Sequence, residues 1–173
     1  MKKFLFAIFL ISSACCLKSE KVTADIYLLS VDEQGQKIGT VIISDTLDGL
    51  LFQVDINGLP SGEHGFHIHE YGSCQPMRDK TGKVILAALA GNHYDPQKTN
   101  THLGPDGAGH KGDLPFLMAD KNGKVKTSFY NYHLSLNEIR GKSFVIHQSG
   151  DNYSDTPVPL GGGGNRIACG IIQ

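Results

Sequence analysis

Apolar and polar residues alternate with a period of two along much of the chain, the pattern of half-buried β-strands. Val22, Ala24, Ile26 and Leu28 share one face of a first strand. Asp32-Glu-Gln-Gly35 is a turn, and Lys37 to Ser44 reads as a second strand. Asp48-Gly49 predicts a hairpin turn, after which Leu50, Phe52, Val54 and Ile56 line a third strand. Gly58-Leu-Pro-Ser-Gly62 connects to a fourth, His64-Gly-Phe-His-Ile-His-Glu70. Alternation is lost from Tyr71 to Gly112. It returns in Leu114 to Ala119 and Lys124 to Asn131, joined by an Asp120-Lys-Asn-Gly123 turn. Ser135-Leu-Asn-Glu138 matches a capping box and predicts one short helical turn. Ser143 to Gln148 is a seventh strand, Ser149 to Asn165 a second irregular stretch, and Arg166 to Ile172 an eighth strand. Eight short strands with two long loops predict an all-β antiparallel sandwich or barrel.

Composition agrees: 21 glycines and no tryptophan suit a turn-rich β protein, and 173 residues can bury a core without external staples. The N-terminus adds an address. Lys2 and Lys3 precede an apolar run from Phe4 to Ile11, and Ser12, Ser13 and Ala14 suit cleavage after Ala14. The run is too short to span a membrane, which takes about 20 apolar residues. Residues 1–14 are therefore expected to be a signal peptide, 15–21 a short linker and 22–173 the folded domain, exported to the periplasm. Cys15 and Cys16 follow small residues, so a lipid anchor at one of them, Cys15 first, is a second reading; Ser12 stands where lipoprotein signals usually carry Leu. Without residues 1–14 the chain carries 14 basic and 17 acidic side chains, a charge of −3, which argues against nucleic acid as a partner. Cys74 and Cys169 remain in the body, and in an exported protein they most simply form one disulfide.

The candidate chemistry lies in the histidines. His67 and His69 point to one face of a strand and Phe66 and Ile68 to the other, so the two imidazoles can act as a metal clamp. The first long loop supplies His93, His102, His110 and Asp113. Three imidazoles and a carboxylate within 21 residues can close a tetrahedral shell around zinc, and such a shell explains how a loop that long stays ordered. His147 follows the apolar run Phe144–Ile146 and is available to the clamp. His64 reads as a hydrogen-bonded structural residue, and His133 as a surface one.

The motifs HGFHIHE at 64–70, GNHYDP at 91–96, GPDGAGHKGDLP at 104–115 and GGGGNRIACGI at 161–171 resemble the copper-zinc superoxide dismutases, in the spacing of their bacterial periplasmic branch. The resemblance covers essentially the whole mature length. It implies an eight-stranded Greek-key β-barrel, a flattened sandwich with two long functional loops, holding one copper (Cu2+/Cu+) and one zinc ion per chain. By position, His67, His69, His93 and His147 would bind copper, and His93, His102, His110 and Asp113 would bind zinc, with His93 bridging. Asp151 would accept hydrogen bonds from His67 and His102, Cys74 and Cys169 match the family disulfide, and Arg166 matches the active-site arginine. The implied reaction converts two superoxide anions and two protons to dioxygen and hydrogen peroxide, and protects against extracytoplasmic superoxide.

Two departures stand out. Asn92 occupies a position where Gly is expected before the bridging histidine, and Asn can adopt left-handed backbone geometry. The loop 149–165 carries no lysine, so Arg78, Lys80 and Lys83 are the candidates for guiding the anion. A metal-buffering protein is the competing class; it would keep the ligands without needing Arg166 or a bridge. A zinc hydrolase is a more distant one, since four protein ligands close the zinc shell. The oligomer is expected to be a monomer or a homodimer.

Overall fold

The computed structural model describes residues 20–31 and 34–173. The expected signal peptide, Cys15 and Cys16, most of the linker and part of the 32–35 turn lie outside the described residues. The strands are β1 (Lys21–Leu29), β2 (Gln34–Thr46), β3 (Gly49–Asn57), β4 (Gly62–His64), β5 (Phe66–His69), β6 (Met77–Arg78), β7 (Val84–Ile85), β8 (Leu117–Ala119), β9 (Lys124–Asn131), β10 (Ser143–His147) and β11 (Arg166–Ile171). A single helical turn, α1 (Leu136–Ile139), follows Ser135, as the capping box predicts. Glu138 accepts from the Ser135 backbone N–H at 3.0 Å and from its hydroxyl at 2.9 Å.

Seven strands pair in the order β5-β10-β11-β1-β2-β3-β9, and β4 pairs with β8. Every pairing is antiparallel. Two connections close the ring: the Asp120–Gly123 turn joins β8 to β9, and Gly65 joins β4 to β5. With β4 and β5 counted as one strand, this is the expected eight-stranded Greek-key barrel. The chain passes from β3 to β4 and from β9 to β10 across the ends of the barrel instead of to a neighbour.

Three local expectations are corrected. The fourth strand is interrupted at Gly65, because its first half pairs with β8 and its second with β10. The hairpin turn is Leu47-Asp48, with Thr46 opposite Gly49, so Gly49 opens β3 at φ 112°. The loop after Tyr71 is not wholly irregular, since β6 and β7 pair as a small ribbon.

The expected inward residues Val22, Ala24 and Ile26, Leu50, Phe52, Val54 and Ile56, and Phe66 and Ile68 are buried, and Val41, Ile43, Phe144 and Ile146 join them in the core. Phe52 stacks on Phe129 with centroids 5.1 Å apart, and Phe66 on Phe144 at 5.0 Å. Burial of each such ring contributes about 1.5–3 kcal/mol. This core fixes the strands that carry His67, His69 and His147.

Candidate metal centre

β5 is buried on both faces, which separates it from an ordinary barrel strand. Phe66 and Ile68 enter the core, and the loop 71–113 folds back over the imidazole side. The loop also pairs with the free edge of β5. The Ile68 N–H donates to the Gly112 carbonyl at 2.8 Å, the Tyr94 N–H to Ile68 at 2.8 Å, and the Glu70 N–H to Asn92 at 3.0 Å. Gly112 is required there, since a Cβ would lie 2.2 Å from the Ile68 carbonyl oxygen. Backbone pairing thus sets His93 opposite His69 and Asp113 opposite His67.

Hydrogen bonds on the outer nitrogens define which atom each ring offers inward. His67 donates Nε2–H to Asp151 Oδ2 at 2.6 Å, and His102 donates Nε2–H to Asp151 Oδ1 at 2.8 Å, so both present a bare Nδ1. His69 donates Nδ1–H to the Gly91 carbonyl at 3.0 Å, and His147 Nδ1 faces the Gly164 carbonyl at 3.4 Å, so both present Nε2. Among the described residues, the buried side-chain polar atoms without a hydrogen-bond partner are Nδ1 of His67, His102 and His110, Nε2 of His69, His93 and His147, and Oδ2 of Asp113. Buried polar atoms are normally satisfied, and leaving one bare costs about 1–3 kcal/mol. Seven bare electron-pair donors, converging from two strands and one long loop, fit metal ions.

The ligand atoms of His67, His69, His93 and His147 all lie within 4.8 Å of one another. Those of His67, His93, His102 and Asp113 meet the same limit. His67 belongs chemically to the first group, because its Nε2 is committed to Asp151 and its one bare atom cannot serve both. His110 completes the second, with Nδ1 3.5 Å from Asp113 Oδ1. His102 Nδ1 stands 2.8 Å from Asp113 Oδ2 without hydrogen-bond alignment, as two ligands of one ion would. His93 belongs to both groups: Nδ1 is 2.9 Å from Asp113 Oδ1, and Nε2 is the bare atom toward the first.

The rings of the first group are held neutral, the form that binds metal. Burial, followed by the fields of His93 and Arg166, pushes His69 well below the usual imidazole range. Burial and His67 push His93 down to about 3. Burial, then His67 and His93, lower His147 in the same way. Asp151 is drawn upward by burial, but its bonds to His102 and His67 outweigh this and hold it below the carboxylate range.

Gly161 makes the Asp151 bridge fit. Its φ is 73°, and a Cβ there would meet Asp151 Oδ1 at 2.0 Å and His102 Nε2 at 2.9 Å. Gly161→Ala is therefore expected to displace Asp151 and weaken zinc binding about 10–100-fold, as loss of a ligand's outer partner does. Competition with a chromophoric chelator measures this, and an unchanged zinc affinity would contradict it.

Arg166 opens β11 and reaches across to the long loop. Its Nη1 donates to the Ala87 carbonyl at 2.6 Å and its Nη2 to Gly91 at 2.7 Å. Gly91 O also accepts from His69, which ties the guanidinium to the clamp. Gly91, at φ 78° and ψ −151°, and not Asn92, takes the positive-φ backbone that only glycine readily adopts, so the Asn92 departure costs no backbone strain. The Cys74–Cys169 disulfide is formed, with its Cα atoms 5.8 Å apart, and fastens the same loop to β11.

A copper/zinc superoxide dismutase family model matches residues 37–172. The chain belongs to the copper/zinc superoxide dismutase family. It is 47% identical to the copper-zinc superoxide dismutase of Escherichia coli strain K12 over 174 residues, covering all of both chains. The solved copper/zinc superoxide dismutase of Brucella abortus is 48% identical, with a TM-score of 0.85 over 89% of this chain and all of that one. The monomeric enzyme of Salmonella enterica is also 48% identical, with a TM-score of 0.77 over 90% of this chain and all of that one. The chain is thus a bacterial-type superoxide dismutase, an oxidoreductase that uses copper and zinc.

The residues expected in the site are therefore brought together: six histidines and Asp113 in two adjoining groups, Asp151 between two of the rings, and Arg166 beside the clamp. His64 stays outside, buried between the carbonyls of His147 and Pro60 at 2.8 Å each, and His133 is exposed. Arg78, Lys80 and Lys83 lie exposed on the β6–β7 ribbon and its turn. The carbonyls of Ala87 and Gly91, and Gly161, do work that residue type could not reveal. Of these only Gly161, the first of four consecutive glycines, carried a signal in the sequence. Among the described residues no helix is long and apolar enough to cross a membrane.

Proposed function

We propose that His67, His69, His93 and His147 hold the copper, that His93, His102, His110 and Asp113 hold the zinc, and that Arg166 receives the superoxide anion. The observation that carries this reading is the set of seven bare buried atoms, which falls wholly within these ligands. Copper supplies alternate one-electron oxidation and reduction, and zinc is redox-silent and serves structure. The chain's own residues do the rest. His67 and His102 are kept in a single tautomer by the shared carboxylate of Asp151, which couples the two groups. His93 presents one nitrogen to each group, so Nε2 is the atom able to hold a proton while Nδ1, on the Asp113 side, keeps the ring oriented.

Arg166 has five N–H donors, and binding two carbonyls leaves charge and donors for an anion. A fixed cation about 4 Å from an anion contributes roughly 4 kcal/mol at an effective dielectric of 20, before desolvation. The side chain is half-buried, so solvent screening reduces this contribution. Arg166→Ala is expected to lower kcat/KM roughly 10–100-fold while copper and zinc contents stay unchanged. Undiminished turnover in that variant would remove Arg166 from the site.

The N-terminal pattern supports export to the periplasm with cleavage after Ala14, and an acylated Cys15 is the alternative end state. The mass of the chain recovered from a periplasmic extract separates the two: loss of residues 1–14 alone, or a further increment from lipid. The mature chain is read as a monomer or homodimer with superoxide as its substrate, guarding against superoxide outside the cytoplasm.

A further inference from the structure

Tyr153 is held in a conformation that tyrosine rarely takes, with φ at 56°. A side chain persists in the left-handed region only where its surroundings over-determine it, and such residues gather at functional sites. Three contacts hold this one. Its backbone N–H donates to Asp151 Oδ1 at 2.8 Å. Its ring lies so tightly on Gly104 that a Cβ there would meet the ring's Cγ at 2.6 Å. Its hydroxyl accepts the Phe116 N–H at 3.0 Å, with the two rings stacked at 6.0 Å.

The contacts reach three separate segments, and each ends at the metal centre. Gly104 lies two residues after His102, Phe116 three after Asp113, and Asp151 two before Tyr153 itself. One half-buried side chain therefore fixes where the Asp151 carboxylate stands relative to the loop bearing His102. The same carboxylate oxygen, Oδ1, accepts from both His102 and Tyr153. We propose that Tyr153 is a positioning residue that sets Asp151, and through it the orientation of His67 on the copper side and His102 on the zinc side. The proposal rests on the ligand assignment above.

Tyr153→Phe tests it in the full mature chain, because Phe keeps the ring on Gly104 and removes only the anchor to Phe116. Tyr132→Phe, at an exposed tyrosine, is the control. The readouts are zinc affinity, by competition with a chromophoric chelator, and the visible absorption of the copper-loaded chain. Loss of an outer partner of a ligand costs 10–100-fold in metal affinity. One bond further out, Tyr153→Phe is expected to weaken zinc binding about tenfold and to shift the copper band, with Tyr132→Phe changing neither. A double-mutant cycle then separates positioning from general loosening. If Tyr153 acts through Asp151, Tyr153→Phe has less than about a twofold further effect in an Asp151→Asn background. Full additivity, or a Tyr153→Phe chain with parental zinc affinity and copper band, overturns the proposal. If Asp151→Asn itself leaves both metals bound as in the parent, Asp151 positions neither ring and the proposal falls; parental zinc affinity in His102→Ala would instead show that the ligand assignment fails.

Discussion

Replacing His93 by alanine is expected to eliminate turnover almost completely and to deplete both metals together. His93 and His67 lie within reach of both groups, but His67 has one nitrogen committed to Asp151, so His93 alone of the two can offer a nitrogen to each: Nδ1 on the Asp113 side and Nε2 toward His67, His69 and His147. Changing an outer partner of a metal ligand already costs about 10–100-fold, so losing a ligand shared by two ions should cost more than about a hundredfold in each affinity. The barrel should survive, because its core is built from the inward faces of the strands and does not include His93. Metal analysis and circular dichroism of the variant check both halves of this expectation. A His93→Ala chain that loses one metal and keeps the other at parental affinity would show that the two groups do not share this ring.

The second large effect lies in the disulfide. Cys74 and Cys169 are 95 residues apart, and closing a loop of that length contributes about 4–5 kcal/mol on the chain-entropy account. For a chain of this size that corresponds to a Tm lower by roughly 10–20 °C in the Cys74→Ala/Cys169→Ala double variant. Stability is only part of the loss. Cys169 packs with Ala87, Ala90 and Val145 in a small cluster of its own, separate from the main core. The Ala87 and Gly91 carbonyls that receive Arg166 sit on the segment this cluster anchors. Turnover is therefore expected to fall in the double variant even well below its melting temperature. Calorimetry and activity at 25 °C separate the two effects. A Tm within a few degrees of the parent, with full activity, would mean that the bridge organises neither the fold nor the site.

The sequence made the outer strands legible because they have one solvated face: Leu50, Phe52, Val54 and Ile56 alternate with Leu51, Gln53, Asp55 and Asn57, and only the first set is deeply buried. It could not show the break at Gly65. All four residues of β5 are buried, so no change of polarity marks where the strand leaves one partner for another. The Leu47-Asp48 turn slipped by one residue, because Asp-Gly favours a hairpin without fixing its register. The loop's candidate ligands are legible as residue types. Their convergence is not, because it depends on backbone pairing along β5 that has no periodic signature. Asp151 and Arg166 rested on the family resemblance alone. What holds them, the carbonyls of Ala87 and Gly91, the missing Cβ of Gly161 and the left-handed backbone of Tyr153, depends on conformation and carries no pattern in the one-dimensional chain.

The two groups of side chains form a paired site suited to a copper that turns over and a zinc that shapes its surroundings. The measurement that tests it most directly is metal content together with superoxide consumption, taken before copper removal, after it, and after copper is restored. One copper and one zinc per chain are expected, with loss of turnover when copper alone is removed and recovery on its return. A chain that carries both metals in full and consumes no superoxide would contradict it and mark the site as a metal store.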